Sequence, residues 1–202
     1  TLLREAVEGS AEAFTLRPPE VFETLQPGTL LSVDFNATLL LVLENNGDYA
    51  LARAISGGDV GSNKGVGADR EVMLPPLTER DRQAIGVALT HGIDLFALSF
   101  AGNQQSVLDF RALVGPNATI ISKVETLEAL GQIDGIVDAS DAILIDRGDL
   151  SRQVSVEDLP YIQRRIIGRA HLKPIPVYVA TNLLETMVSS PRPLRAEMSD
   201  IS

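Results

Sequence analysis

An α/β fold built on a parallel sheet is what this 202-residue chain predicts, on three observations. From Leu74 onward, strand-length apolar runs alternate with capped helical segments at near-constant spacing, apart from a longer third step, as crossovers between parallel strands require. Two of those runs stop abruptly in charge, at Ile120-Ile-Ser-Lys123-Val-Glu125 and at Ala142-Ile-Leu-Ile-Asp146-Arg147-Gly148-Asp149. An isolated ion costs roughly several kcal/mol to take out of water. These charges are therefore expected at one working face, the end of the sheet where α/β folds keep their chemistry. Finally, 45% hydrophobic residues supply a sizeable core.

The first third is punctuated differently, as β structure. Pro27-Gly28 introduces Leu30–Asp34, Asn36 precedes Thr38–Leu43, and Asn45-Asn46-Gly47-Asp48 separates that run from Tyr49–Ile55. Turn residues dividing strand-length runs predict hairpins, and Gly57-Gly58 ends the series. Beyond Pro75-Pro76, Thr78 with Asp81 three residues later opens a helix that stops at His91-Gly92. Strand 95–100, helix 104–114 closed by Gly115, strand 119–124, a helix through 126–130, strand 142–146, helix 157–172 and strand 177–181 follow. The domain boundary falls between Gly58 and Leu74. Four clear strands are too few for a closed eight-stranded barrel, and another helix begins at Arg195.

Composition excludes several functions. The absence of cysteine removes disulfides, thiolate metal sites and Cys nucleophiles. Two histidines cannot make a histidine-rich zinc site. A net charge of −10 argues against nucleic acid as a partner. The longest apolar run, Ala37–Leu43, is too short to span a bilayer, and Thr1-Leu-Leu-Arg-Glu has no signal-peptide layout. Without an initiator Met, the chain reads as a soluble piece of something longer, expected in the cytoplasm.

The chemistry concentrates at three successive strand ends. Lys123 and Glu125 lie two apart, on one side of their strand. Asp149 follows the next strand in the same register, so Glu125 and Asp149 can converge on a hard cation such as Mg2+ or Mn2+, which takes its remaining ligands from water and substrate oxygens. Thr181 ends the fourth strand with a hydroxyl. The turn Arg147-Gly148-Asp149 can offer backbone N–H groups to an anion. On pattern alone Lys123 and Glu125 read equally well as a surface ion pair, and Gly148-Asp149 by itself reads more readily as a turn dipeptide. His91 and His171 read as helix-end residues, and Arg164, Arg165 and Arg169 as a solvated helix face.

Four ordered segments carry a specific resemblance: Ile121–Glu125, Asp141–Leu150, Val179–Met187 and Pro191-Arg-Pro-Leu-Arg-Ala-Glu-Met-Ser-Asp200 resemble consecutive signature segments of pyruvate kinase. Upstream, Pro27–Asp34 and Gly57–Val66 resemble the later half of its mobile β-barrel lid. The resemblance implies an α/β fold, part of a (β/α)8 TIM-type barrel with an inserted small β-barrel lid domain. Residues 1–70 would be the partial lid and 71–202 the partial barrel; the opening strands, the closing strand and the C-terminal regulatory domain are expected outside this chain.

It further implies transfer of a phosphoryl group from phosphoenolpyruvate to ADP, giving pyruvate and ATP. Lys123 would be the cation beside the transferring phosphoryl group and the developing enolate, and Glu125 and Asp149 the ligands of Mg2+ or Mn2+. The amides around Arg147, Gly148 and Asp149 would hold the substrate carboxylate, with Thr181 implicated in proton delivery. Lys64 would approach the nucleotide phosphates, and Asp34 would close over the site from the lid. Ligands for K+, and the arginine for the substrate phosphate, would lie outside this chain, the full-length protein would be a homo-oligomer, and the isolated chain would be inactive.

The sequence departs from the family pattern at several points. The family usually has a small residue at Asp146, Gly at Ser151, Gln at Asn182, and an acidic residue and Gly at Phe35 and Asn36. An extra carboxylate at Asp146 would oppose anion binding unless it points away. Gly65-Val-Gly-Ala-Asp-Arg-Glu71 replaces the usual Asn-Leu-Pro-Gly, and Ala101-Gly102-Asn103 replaces a basic turn. Two alternatives therefore stand beside the kinase: a metal-dependent lyase or aldolase working through a pyruvate enolate, and a non-catalytic homologue. Arg-Gly-Asp-Leu followed by Pro-Arg-Pro-x-Arg-Ala-Glu favours the kinase.

Overall fold

A computed structural model describes residues 1–34, 37–70, 77–181 and 183–201. The helix opening at Pro75-Pro76, the boundary residue Leu74, and Phe35, Asn36, Glu71, Asn182 and Ser202 lie outside the described residues. The chain divides into two units, Thr1–Thr78 and Glu79–Ser202.

Among the described residues, the first unit holds a six-stranded sheet. Its strands are β1 (Leu2–Leu3), β2 (Phe14–Thr15), β3 (Leu30–Val33), β4 (Thr38–Asn45), β5 (Tyr49–Ser56) and β6 (Val66–Ala68), in the order β2-β1-β5-β4-β3-β6. The centre is the antiparallel meander β3-β4-β5 that the turn residues predict. Alternation sets its inner face: Leu31, Val33, Leu40 and Val42 are buried while their neighbours are less so. They pack with Leu2, Leu16, Val21, Phe22, Leu25 and Ala50, each fully buried Leu or Val contributing about 1.5–3 kcal/mol. The β4-β5 turn is fastened from within. Asn45 donates its side-chain amide to the carbonyls of Phe22 (2.7 Å) and Leu25 (2.8 Å), and Gly47 takes φ +94°. The short strands β1, β2 and β6 have no sequence periodicity, since they are made by pairing partners distant in the chain.

The second unit is α/β. Its elements run α1 (Glu79–Thr90), β7 (Leu95–Leu98), α2 (Gln104–Val114), β8 (Thr119–Val124), α3 (Leu127–Gly131), α4 (Ile133–Ala139), β9 (Ala142–Asp146), α5 (Arg147–Leu150), α6 (Leu159–His171), β10 (Val177–Ala180) and α7 (Arg195–Asp200). Among the described residues its four strands are parallel and neighbour one another in sequence order, β7-β8-β9-β10. Each crossover thus advances the sheet by one strand, as in a (β/α)8 barrel. Ile120 and Val124 of β8 and Ile143 and Ile145 of β9 are fully buried, with Val107 of α2, Ile136 of α4 and Ile166 of α6.

Local chemistry explains the helix starts. Asn103 accepts the Ser106 N–H at 3.0 Å and Ser106 returns a contact, so the turn Ala101-Gly102-Asn103 is the capping box of α2. Thr126 caps α3 through the Ala129 N–H. The expected single helix near 126–130 is instead two, α3 and α4, joined at Gln132. Among the described residues no helix is long and apolar enough to cross a membrane.

Candidate functional site

Register brings the charged strand ends together. Lys123 lies opposite Leu144, and Val124 opposite Ile145. With a side-chain period of two, Lys123 and Asp146 therefore emerge on the same face, opposite to the face that buries Ile120, Val124, Ile143 and Ile145. Ala180 pairs with Asp146, which delivers Thr181 to the same edge. The Lys123 ammonium is paired with Glu125 Oε1 and, at 3.1 Å, with Asp146 Oδ2. Thr181 donates its hydroxyl to Asp146 Oδ1 at 2.9 Å, and the Gly148 N–H donates to the same oxygen at 3.2 Å.

Glu125 is only 2% exposed, and its second oxygen accepts the Phe100 N–H at 2.6 Å. Phe100 (φ +53°) and Thr181 (φ +76°) both hold left-handed backbone conformations, unfavourable for an aromatic and a β-branched residue. Both donate to carboxylates of this cluster. Backbone strain held in place by the surrounding fold thus occurs where the charged groups meet, while Asp34, Asn63 and Leu184 hold positive φ elsewhere.

The charges are unequally compensated. Burial raises the Glu125 pKa above the usual carboxylate range, aided by the nearby Asp149 charge and opposed by Lys123 and the Phe100 N–H. Asp146 moves the other way: burial works against its charge, but the Thr181 hydroxyl, the Lys123 ammonium and the Asp149 N–H hold its pKa down. For Lys123, burial disfavours the ammonium, yet Glu125 and Asp146 together raise its pKa. One ammonium thus serves two carboxylates, with Asp149 a third nearby.

Glu125, Asp146 and Asp149 each offer an oxygen, the three atoms within 4.8 Å of one another. Hard carboxylate oxygens at such spacing fit Mg2+ or Mn2+, with Asp146 adding charge beside the site while its own oxygens face Lys123, Thr181 and Gly148. The sequence predicts that Asp146 opposes anion binding unless it points away; it points into the cluster. The β8/β9 register sets that direction, and no local sequence pattern fixes it. The Phe100 N–H had no side-chain signature at all.

The expected anion-binding turn is a short helix, α5, capped by Asp146. Its Arg147 side chain leaves the cluster and pairs with Asp200 Oδ2 at 2.8 Å, while Gln163 donates to the Asp200 carbonyl at 2.8 Å. Arg147 therefore anchors α5 to α7 with its guanidinium. Ser151 donates its hydroxyl to the Gly148 carbonyl at 2.7 Å, closing α5. A side chain at Gly148 would be crowded: an added Cβ meets Thr181 Cγ2 at 2.8 Å.

Glu197 fastens the last two signature segments. Its carboxylate accepts the N–H and the hydroxyl of Thr186 and the N–H of Leu194 (2.8 Å), which lower its pKa. In the first unit, Lys64 and Asp34 pair with each other at 3.0 Å. His91 follows α1 and His171 ends α6, both at helix termini. Arg169 pairs with Asp134 at 3.3 Å.

Comparison with known proteins extends these findings. A family model described as pyruvate kinase, barrel domain, matches residues 3–202. A pyruvate kinase of Agrobacterium vitis is 37% identical over 200 residues, covering 98% of this chain and 41% of the relative. One from Methylorubrum extorquens is 34% identical over 195 residues, covering 96% and 41%. The Homo sapiens pyruvate kinase PKLR is 33% identical over 198 residues, covering 96% and 34%. The chain thus spans about two-fifths or less of the length of these curated relatives.

Proposed function

This chain belongs to the pyruvate kinase family, and on that premise we propose that the protein transfers a phosphoryl group from phosphoenolpyruvate to ADP, giving pyruvate and ATP. The observation that carries the reading is the Lys123 ammonium set between Glu125 and Asp146, with Asp149 beside them, at the ends of adjacent parallel strands. Phosphoryl transfer asks little covalent chemistry of a protein and much positioning and charge neutralisation.

In this reading the bond between phosphorus and the enol oxygen breaks as an ADP oxygen attacks. The oxygen left behind carries the electron pair as an enolate, and a proton is delivered to its carbon. Lys123 stabilises charge on the transferring group and the enolate oxygen. Glu125 and Asp149 would hold Mg2+ or Mn2+, which when bound neutralises substrate oxygens. The amides of Arg147, Gly148 and Asp149 orient the substrate carboxylate, and the Thr181 hydroxyl serves the proton route. Lys64 approaches the nucleotide phosphates, and Asp34, its ion-pair partner, closes over the site from the lid. The division into lid residues 1–70 and barrel residues 71–202, a cytoplasmic location, a homo-oligomeric full-length protein and K+ held outside this chain belong to the same proposal.

The test is a coupled assay on the full-length protein for pyruvate formed from phosphoenolpyruvate and ADP. Metal-dependent turnover that Lys123→Met abolishes is the expected result. Aldol cleavage of a 2-keto acid to pyruvate instead would replace this reading with a lyase, and pyruvate released with inorganic phosphate in the absence of ADP would replace it with a phosphohydrolase.

A further inference from the structure

The donors that a substrate anion needs are already engaged by a carboxylate of the chain itself. Asp146 Oδ2 lies 3.1 Å from the Lys123 ammonium, and Oδ1 accepts the Thr181 hydroxyl at 2.9 Å and the Gly148 N–H at 3.2 Å. A cation, a hydroxyl and an amide converging on one carboxylate form a complete anion seat, and it is filled from within. Two features mark it as a built arrangement rather than a chance surface contact. Thr181 donates from a left-handed backbone conformation that a β-branched residue rarely adopts, and Gly148 leaves room for the Thr181 methyl where any larger residue would collide.

We propose that Asp146 is an internal competitor for the substrate's carboxylate: a small carboxylate anion reaches Lys123, Thr181 and the Gly148 amide only by displacing it. The proposal rests on the enolate-forming reading of this site given above. Asp146 touches the groups that face the substrate and sets how tightly an anion is held; it is a specificity residue. Displacement is feasible because the Asp146 side chain keeps 16% of its surface exposed, whereas Glu125 is enclosed and anchored by the Phe100 amide. In the functional reading above a cation is held by Glu125 and Asp149, so displacement of Asp146 leaves those carboxylates in place. The competitor also adds a negative charge beside any arriving anion, and like charges juxtaposed in a site are costly.

The test uses the full-length protein with oxalate as the probe and saturating Mn2+, comparing wild type with Asp146→Ala and Asp146→Asn by titration calorimetry. Oxalate is expected to bind about tenfold or more tightly to Asp146→Ala. Asp146→Asn, which keeps the cap on α5 and the acceptor for Thr181 but not the charge, should shift affinity in the same direction and carries the test alone if the alanine variant fails to fold. Mn2+ affinity, read by electron paramagnetic resonance, should weaken by less than about tenfold, as the removal of a nearby charge rather than of a ligand requires. Oxalate affinity unchanged or weaker in the folded variants overturns the proposal while leaving the kinase reading intact. Loss of Mn2+ affinity in Asp146→Ala overturns it too, by making Asp146 a metal ligand. Wild type and variants that bind neither Mn2+ nor oxalate overturn the functional reading and this inference together.

Discussion

Gly148 and Thr181 are in contact across adjacent strand ends, so closely that a methyl group on Gly148 would lie 2.8 Å from Thr181 Cγ2 and 3.4 Å from its Cβ. The contact holds Thr181 where its hydroxyl meets Asp146. Gly148→Ala is therefore expected to cost about 1–3 kcal/mol of stability by overpacking and to move the Thr181 hydroxyl off Asp146. Thr181→Ser, which deletes the offending methyl, should restore much of that stability in the double variant. Thermal unfolding of the four proteins in the cycle measures it, and strictly additive effects would show that the two residues do not communicate.

Lys123 and Glu125 should separate into different roles. In the full-length protein Glu125→Gln is expected to weaken Mn2+ binding, whereas Lys123→Met should retain the metal and lose turnover by a factor corresponding to about 3 kcal/mol or more of electrostatic stabilisation. Paramagnetic resonance titration and steady-state rates distinguish the two. A Lys123→Met protein with normal turnover would end the proposed chemistry.

Asp141 supplies a pH-dependent fastening for β8. Its carboxylate accepts the Ile120 N–H and an Arg111 nitrogen, each at 2.7 Å; burial works against its charge, but these partners hold its pKa below the ordinary value. A depressed carboxylate pKa stabilises the fold above the unfolded-state pKa of about 3.9 and loses that contribution as pH falls through the folded value. The stability gap between wild type and Asp141→Asn should therefore be constant near neutrality and shrink below about pH 4. Urea unfolding across that range gives the answer; a gap that persists undiminished into acid contradicts it.

Glu197 should act on order rather than on the acid cluster. Because its carboxylate gathers the Thr186 and Leu194 amides, Glu197→Gln is expected to speed hydrogen exchange at both amides. The amides of α2, which has its own Asn103–Ser106 cap, should be unchanged. Equal acceleration in both regions would mean global destabilisation instead.

Much of this was readable from residue order alone. The meander of the first unit follows from Pro27-Gly28 and the Asn45–Asp48 turn, and the parallel strands follow from apolar runs of fixed length between capped helices, because turn chemistry, period and capping are local properties. The gathering of Lys123, Glu125, Asp149 and Thr181 was legible for the same reason: each closes or follows a strand in one βα register. Two-residue strands such as Leu2–Leu3 and Phe14–Thr15 were not, since they exist only through distant partners. Nor was the direction of Asp146. One residue of register at β8 and β9 decides whether it faces Lys123 or the helices, and register is fixed by tertiary pairing. The same holds for the Phe100 amide on Glu125 and for Arg147 on Asp200, 53 residues apart. The sequence by itself determined which residues carry charge and that strand ends would collect them; only the packed sheet decided which carboxylate each donor meets, because hydrogen bonds are short and directional and their partners come from separate βα units.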